Sequence, residues 1–281
     1  MDILGTETLG VRGLCCFIEL GNTKVLVDPG MAMGFTRYGL HPHPLQAVVG
    51  DQIKKLIRNS WRNASDIVIS HLHGDHTPLS NPNPFQFGIS LVEGINSSAR
   101  IWVKPEELAF GVEKKRLCDL RQVFGEQISE IKPNVEFDGV LQFYGPFPHG
   151  GYSKTAVVVT VIRGKKVFMH TSDIDILDRN VVKLVEHIAP DIILMDGPPI
   201  YLWFGNRPPS TRIINKLWNN ILNIAESSGL VIIDHHITRC DPGLKWIEIL
   251  RENSRNIFCA AEFMKKPILM LESWRLSLIH I

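Results

Sequence analysis

The hexapeptide His71-Leu72-His73-Gly74-Asp75-His76 constrains this chain more than any other stretch, because it gathers three imidazoles and a carboxylate within six residues. Neutral nitrogen and anionic oxygen donors at this density suit a borderline-soft divalent cation such as zinc, whereas ordinary packing gives no reason for them. The preceding Asp66-Ile67-Val68-Ile69-Ser70 is a short β-branched run that reads as a buried strand, so the donors begin where a strand ends. Side chains two apart in an extended segment point the same way, which lets His71 and His73 grip one ion together. Asp75 and His76, on the turn that follows, reach toward a second position.

Length and composition fit a single domain spanning 1–281, with 44% hydrophobic residues to build a core. Thirty basic residues against 29 acidic give a net charge of +1, so no global attraction to nucleic acid or to an anionic membrane follows. The N-terminal stretch carries Asp2 and Glu7 rather than a basic and apolar leader, and no apolar run approaches the roughly 18 residues of a membrane span. A soluble, cytoplasmic protein is expected. The five cysteines are odd in number and contain no Cys-x-x-Cys pair, which argues against a disulfide framework or a cysteine metal site.

Along the chain, apolar strands and amphipathic helices alternate. Leu14 to Leu20 and Thr23 to Val27 flank a Gly21-Asn22 hairpin signal, and the second strand runs into the turn Asp28-Pro29-Gly30. Helices are expected over Asp51 to Ala64 and over Pro105 to Phe124. The second half repeats the plan: Thr155 to Ile162 and Lys165 to His170 form a hairpin around Arg163-Gly164, ending in Thr171-Ser172-Asp173. A helix (Asp178 to Ile188), a strand (Asp191 to Met195), a helix (Thr211 to Ser227) and a strand (Leu230 to Ile233) follow, and the last strand ends in Asp234-His235-His236. The pattern implies an α/β architecture of two halves, packed sheet to sheet with helices outside and polar residues gathered at strand ends.

With these residues in view, the chain resembles the metallo-β-lactamase superfamily, whose signature is a His-x-His-x-Asp-His cluster after a buried strand, then an isolated His, an Asp and a final His, each at a strand end. The matching positions are His71 to His76, His149 in Gly145-Pro146-Phe147-Pro148-His149-Gly150, Asp173 and His235, with Asp28 matching an acidic residue after an early strand. Arg37-Tyr38-Gly39-Leu40, Pro42-His43-Pro44-Leu45, His170-Thr171-Ser172-Asp173 and Asp234-His235-His236 further resemble an uncharacterised, mainly archaeal branch of predicted metal-dependent hydrolases. The resemblance implies a four-layer αβ/βα sandwich of two mixed sheets packed face to face.

It also implies a centre of two divalent ions, zinc foremost, with iron or manganese as alternatives. One ion would take His71, His73 and His149, the other Asp75, His76 and His235, with Asp173 bridging. A hydroxide held between two such cations attacks at neutral pH, and the cations polarise the electrophile. The reaction class is hydrolysis of an ester, thioester or phosphoester of modest size. Asp75 is also a candidate proton relay.

Asp28 is a candidate to hold a metal-bound histidine from behind; His43, His170 and His236 are candidates to line the pocket, and His236 competes with His235 for the ligand role. Asp196, at another strand end, leans toward turn chemistry, and His187 and His280 read as structural. Two further readings remain: a nucleic-acid phosphodiesterase, and a non-enzymatic metal-containing binding or sensing protein. The best basic cluster for the first is Lys114-Lys115-Arg116 with Arg121 and Lys104, on what reads as a solvated helix face. Arg207, Arg212 and Arg239 follow strand ends where a phosphate could be met. The tail from Pro267 to Ile281 is rich in Leu, Ile, Met and Trp, and so caps the core or buries against a second subunit of a homodimer.

Overall fold

The structure, a computed structural model, describes residues 1–150, 155–204 and 208–278. Arg207 and His280 lie outside the described residues. The chain divides into two compact units, one formed by residues 1–132 with the stretch from Ile268 onward, the other by residues 133–267.

The first unit is built on six strands in sequential order: β1 (Asp2–Gly5), β2 (Cys15–Leu20), β3 (Thr23–Val27), β4 (Asp66–Ile69), β5 (Arg100–Val103) and β6 (Ile128–Glu130). The first three run antiparallel, with the expected hairpin at Gly21-Asn22, and the sheet then turns parallel from β3 to β6. Helix α1 (Pro44–Asn63) links the parallel pair β3 and β4, burying Gln46, Gly50, Ile53, Ile57 and Trp61 at helical spacing. It starts a full two turns before the expected Asp51. His43 in extended conformation caps it through Nδ1, and Pro44 supplies the fixed φ of a first helical turn, so residues that read as loop punctuation initiate the helix. The helix expected over Pro105 to Phe124 is shorter in fact: a 3₁₀ turn at Glu106–Leu108 is broken at Gly111, with φ of 56°, before α2 (Val112–Phe124) begins. Trp61 and Phe124 pack at 5.3 Å, joining α1 to α2 within the apolar core.

The second unit carries a seven-stranded sheet that pairs in sequential order: β7 (Glu136–Phe137), β8 (Leu141–Pro148), β9 (Ala156–Arg163), β10 (Val167–Ser172), β11 (Ile192–Asp196), β12 (Leu230–Asp234) and β13 (Ile257–Phe258). It too is antiparallel at first, from β7 to β10, and parallel afterwards. Helices α3 (Arg179–Ile188) and α4 (Thr211–Glu226) connect β10 to β11 and β11 to β12, and α5 (Asp241–Asn253) precedes β13. Parallel strands leave the sheet at one edge, so each half of the chain delivers its polar strand ends together.

The tail closes on its own unit. Leu269 donates to the Thr8 carbonyl, Met270 and Leu271 are buried, and the Glu272 carboxylate receives Arg12, Arg37 and the Gly34 amide. Arg275 is fully buried and donates to the carbonyls of Gly34 and Leu40 and to Gln46. The Arg37 loop is thereby tied down by the tail. Arg275→Ala would leave these buried acceptors without their donor and should cost about 3 kcal/mol or more. Urea unfolding followed by tryptophan fluorescence checks it, a midpoint equal to the parent's being the contrary result.

Candidate metal centre

Register places the first group of donors. Val27 of β3 lies opposite Val68 of β4 in a parallel pair, so Asp28, the next residue, arrives beside the end of β4. The Asp28 amide donates to the Val68 carbonyl, and the side chain, fully buried, accepts from the Ser70 amide and the Ser70 hydroxyl, each at 2.8 Å. Its Oδ2 also stands 2.9 Å from His76 Nδ1. A carboxylate on Nδ1 fixes the ring orientation and leaves Nε2 as the coordinating atom. The approach is close. A Cβ on Gly30 would fall 2.5 Å and 2.6 Å from the His76 carbonyl carbon and amide nitrogen, so only glycine lets this turn lie against the histidine loop.

Within that loop the His73 carbonyl accepts the amides of His76 and Thr77, folding the hexapeptide into a turn. The His71 ring lies 4.6 Å from His73 and 4.3 Å from His76, centroid to centroid. Asp28, His71 and His76 each offer a donor atom within 4.8 Å of the others. Helix α2 grips the Leu72 peptide between His71 and His73 from both sides: Glu113 Oε1 accepts its amide at 3.2 Å and Arg116 Nη1 donates to its carbonyl at 2.6 Å. Glu113 in turn holds the buried Lys104 ammonium with both oxygens at 2.8 Å. Asp75, half-buried, lies close enough to oppose with its charge the loss of solvation that lowers the Arg116 pKa.

The second unit assembles its own group. His149 follows β8, and backbone bonds tie it to the end of β10: Gly150 donates to the Asp173 carbonyl and Asp175 to the Pro148 carbonyl. His149 Nδ1 meets the Gly150 carbonyl, which turns Nε2 to 3.4 Å from Asp173 Oδ2. His235 Nε2 stands 3.3 Å from the same oxygen. Asp173, His235 and His236 offer donor atoms within 4.8 Å of one another. Behind His236, Asp196 accepts both the backbone amide at 2.7 Å and Nδ1 at 2.5 Å, repeating the arrangement of Asp28 with His76. Asp234 clamps the exit of β12, accepting from the His235 amide, the Thr238 hydroxyl and the Ala260 amide.

Electrostatics in this unit follow from burial. Loss of solvation lifts the Asp196 carboxyl, with Asp173's charge adding to it, up to about 8. Burial lowers His236, helped by the positive charge of Arg239 and by His235. His149 is pulled down by burial, yet the hydrogen bond and charge of Asp173 outweigh it, and the imidazole is held above its ordinary value.

The remaining candidates fall elsewhere. His43 caps α1, and His170 is fully buried in β10 opposite Thr160 and Leu194; neither is among the grouped donors of its unit. Asp196 does more than shape a turn. The basic cluster is largely committed: Lys104 to Glu113, Arg116 to the Leu72 carbonyl, and Arg121 to Glu106 and Glu130, which leaves Lys114 and Lys115 exposed. Sequence reading passed over Ser70, Glu113 and Tyr201, and gave Arg239 only as a residue after a strand end where a phosphate could be met. The Arg239 guanidinium is buried against His235, and its position after a strand end was the only signal.

A UPF0282 protein of Methanosarcina mazei is 34% identical over 282 residues, covering 99% of this chain and 91% of that protein. The chain belongs to the UPF0282 family. A second UPF0282 protein, from Thermococcus kodakarensis, is 31% identical over 292 residues, covering 99% and 94%. Residues 9–77 match the metallo-beta-lactamase superfamily, a stretch that ends just past the hexapeptide. Among solved structures, the isothiocyanate hydrolase from Delia radicum gut bacteria aligns with a TM-score of 0.56 at 14% identity, covering 89% of this chain and 94% of that one. That likeness shows the fold of this UPF0282 member, the metallo-β-lactamase α/β sandwich with two mixed sheets.

Glu113→Ala should cost about 3–5 kcal/mol, because the Lys104 ammonium would stay buried without its carboxylate. The double change Lys104→Met with Glu113→Leu, which removes both charges, should cost less. Chemical denaturation of the two variants checks the order, and a reversed order would show that the pair is not the support described.

Proposed function

We propose that this UPF0282 protein is a dinuclear metal-dependent hydrolase, one domain over 1–281, acting on an ester, thioester or phosphoester of modest size. The observation that carries it is the buried carboxylate behind the imidazole of a candidate ligand, Asp28 behind His76. Structural histidines seldom need such a partner, whereas metal-binding ones regularly have one. The donor set of imidazoles and carboxylates fits divalent ions of the zinc, iron or manganese kind, with zinc foremost.

His71, His73 and His149 would hold one ion and Asp75, His76 and His235 the other, with Asp173 shared between them. When bound, the pair of cations supplies a water acidic enough to ionise near neutral pH and Lewis acidity toward the scissile group. The chain's own residues supply orientation. Asp28 and Ser70 hold the His76 and His71 rings, α2 fixes the Leu72 peptide between His71 and His73, and Asp234 sets the turn that presents His235. Asp75, which is half-buried, is in this reading the group that accepts or relays a proton. No helix among the described residues is long and apolar enough to cross a membrane, which suits a protein meeting a dissolved substrate.

Metal analysis coupled to a panel of esters, lactones, thioesters and phosphodiesters tests the reading. Two ions per chain and turnover of at least one class are expected, with Asp173→Ala inactive. A fully loaded chain inert to the whole panel, or an Asp173→Ala variant as active as the parent, would overturn it. Asp28→Asn should weaken metal retention by about 10- to 100-fold, read by competition with a chelator. Unchanged retention would contradict the role given to Asp28.

A further inference from the structure

Beside His236 the second unit carries a short turn that holds aromatic rings next to its polar donors. The stretch after β11 runs Gly197-Pro198-Pro199 into a 3₁₀ turn, Ile200–Leu202, and Trp203 continues the helical backbone with φ of −71° and ψ of −18°. Three residues per turn put positions three apart on one face. Ile200, which is buried, and Trp203 take the inner face, where the Trp203 ring meets Trp246 of α5 edge-on at 5.4 Å. Trp246 in turn meets Trp218 of α4 at 5.4 Å. The start of the stretch is braced as well, since a Cβ on Gly197 would fall 2.5 Å from the Cβ of Ile237, the residue after His236.

Tyr201 takes the next face and stacks on His236, with centroids 6.3 Å apart and planes within 28°. The same period carries Phe204 to the Tyr201 side of the turn, and Phe204 is 68% exposed. A single exposed apolar residue is ordinary. This one sits on a braced turn whose neighbouring ring lies against a histidine grouped with Asp173 and His235. Imidazoles and carboxylates suit a reacting group and offer nothing to hydrocarbon, whereas sites for small molecules pair a few polar groups with aromatic walls. Size decides the occupant. Two aromatic side chains offer at most about 500 Å², short of the roughly 800 Å² per partner of a stable protein interface and ample for one alkyl chain or ring.

We propose that Tyr201 and Phe204 form an apolar subsite for a hydrophobic group of the substrate, an alkyl chain or aromatic ring joined to the scissile bond. This rests on the hydrolase reading for the position of that bond. Phe204 binds the hydrophobic group, and Trp203 is a positioning residue that acts through the turn it pins to α5.

The test uses the full-length, metal-loaded chain and straight-chain carboxylates from acetate to octanoate as probes, titrated by calorimetry after the metal content of each variant is measured. In the parent, affinity should rise about three- to fourfold for each CH₂ that the rings cover. Phe204→Ala should flatten that rise and leave acetate affinity as in the parent, and Phe204→Leu should recover part of it. Phe204 is largely exposed, so these variants keep the fold. No carboxylate binding, an affinity that does not grow with chain length, or a rise kept intact in Phe204→Ala would overturn the proposal. Sedimentation velocity of the same samples separates the other occupant: a parent dimer that Phe204→Ala converts to a monomer would also overturn it, because the ring would then serve a second copy of the chain. A chain-length rise that depends on Phe204 in a loaded chain that hydrolyses nothing would sink the hydrolase reading and leave the subsite standing.

Discussion

A carboxylate buried directly behind an imidazole is the interaction on which the rest of this structure depends. Asp28 has no exposed surface, and burying its charge is offset by three hydrogen bonds, two from Ser70 and one from His76. That geometry is possible only because β3 and β4 run parallel in a register that brings Asp28 to the end of β4. In the second unit Asp196 closes β11 opposite Asp234 of β12, so its side chain meets the residue pair that follows β12. The sheet pairing therefore sets the donor geometry in each unit, and the helices matter chiefly for keeping the strand exits in place.

Those exits carry backbone strain. Asp28, Ser172 and His235 have φ of 47°, 54° and 74°, in the left-handed region that non-glycine residues seldom occupy. Each lies at or just beyond the end of a strand that leads to a donor; the Asp28 carboxylate accepts from Ser70, and the His235 amide donates to the Asp234 carboxylate. Local conformational cost at these points is outweighed by buried hydrogen bonds nearby. Energy stored in this way fits a site whose donors are positioned before any ligand arrives.

Much of the fold was legible because its signals are local. The hairpin at Gly21-Asn22, the strand before His71 and the parallel strands of the second half are short β-branched runs bounded by turn residues, and these appear where expected. Two helix starts were not legible, for opposite reasons. Pro42-His43-Pro44 reads as a loop but caps α1, while Pro105 promises a helix that Gly111 delays. β8 was hidden by Gly145 and Pro146 inside it, which shift its register against β9.

The metal-donor types were legible because histidine clusters are rare, but their supports were not. Glu113 lies 41 residues from the Leu72 amide it accepts, and Asp196 lies 40 from His236; no local pattern links such pairs. Arg239 was visible only as a basic residue after a strand. Its meaning comes from the ring it touches.

The central claim is that donors contributed by separated strand ends hold two ions at one centre with a shared carboxylate. Electron paramagnetic resonance of the cobalt(II)-loaded chain addresses this most directly, because ions bridged by Asp173 couple magnetically and isolated ions do not. A coupled pair that becomes uncoupled in Asp173→Ala is the result this account requires. Two independent cobalt signals, or a single ion per chain at saturation, would contradict it.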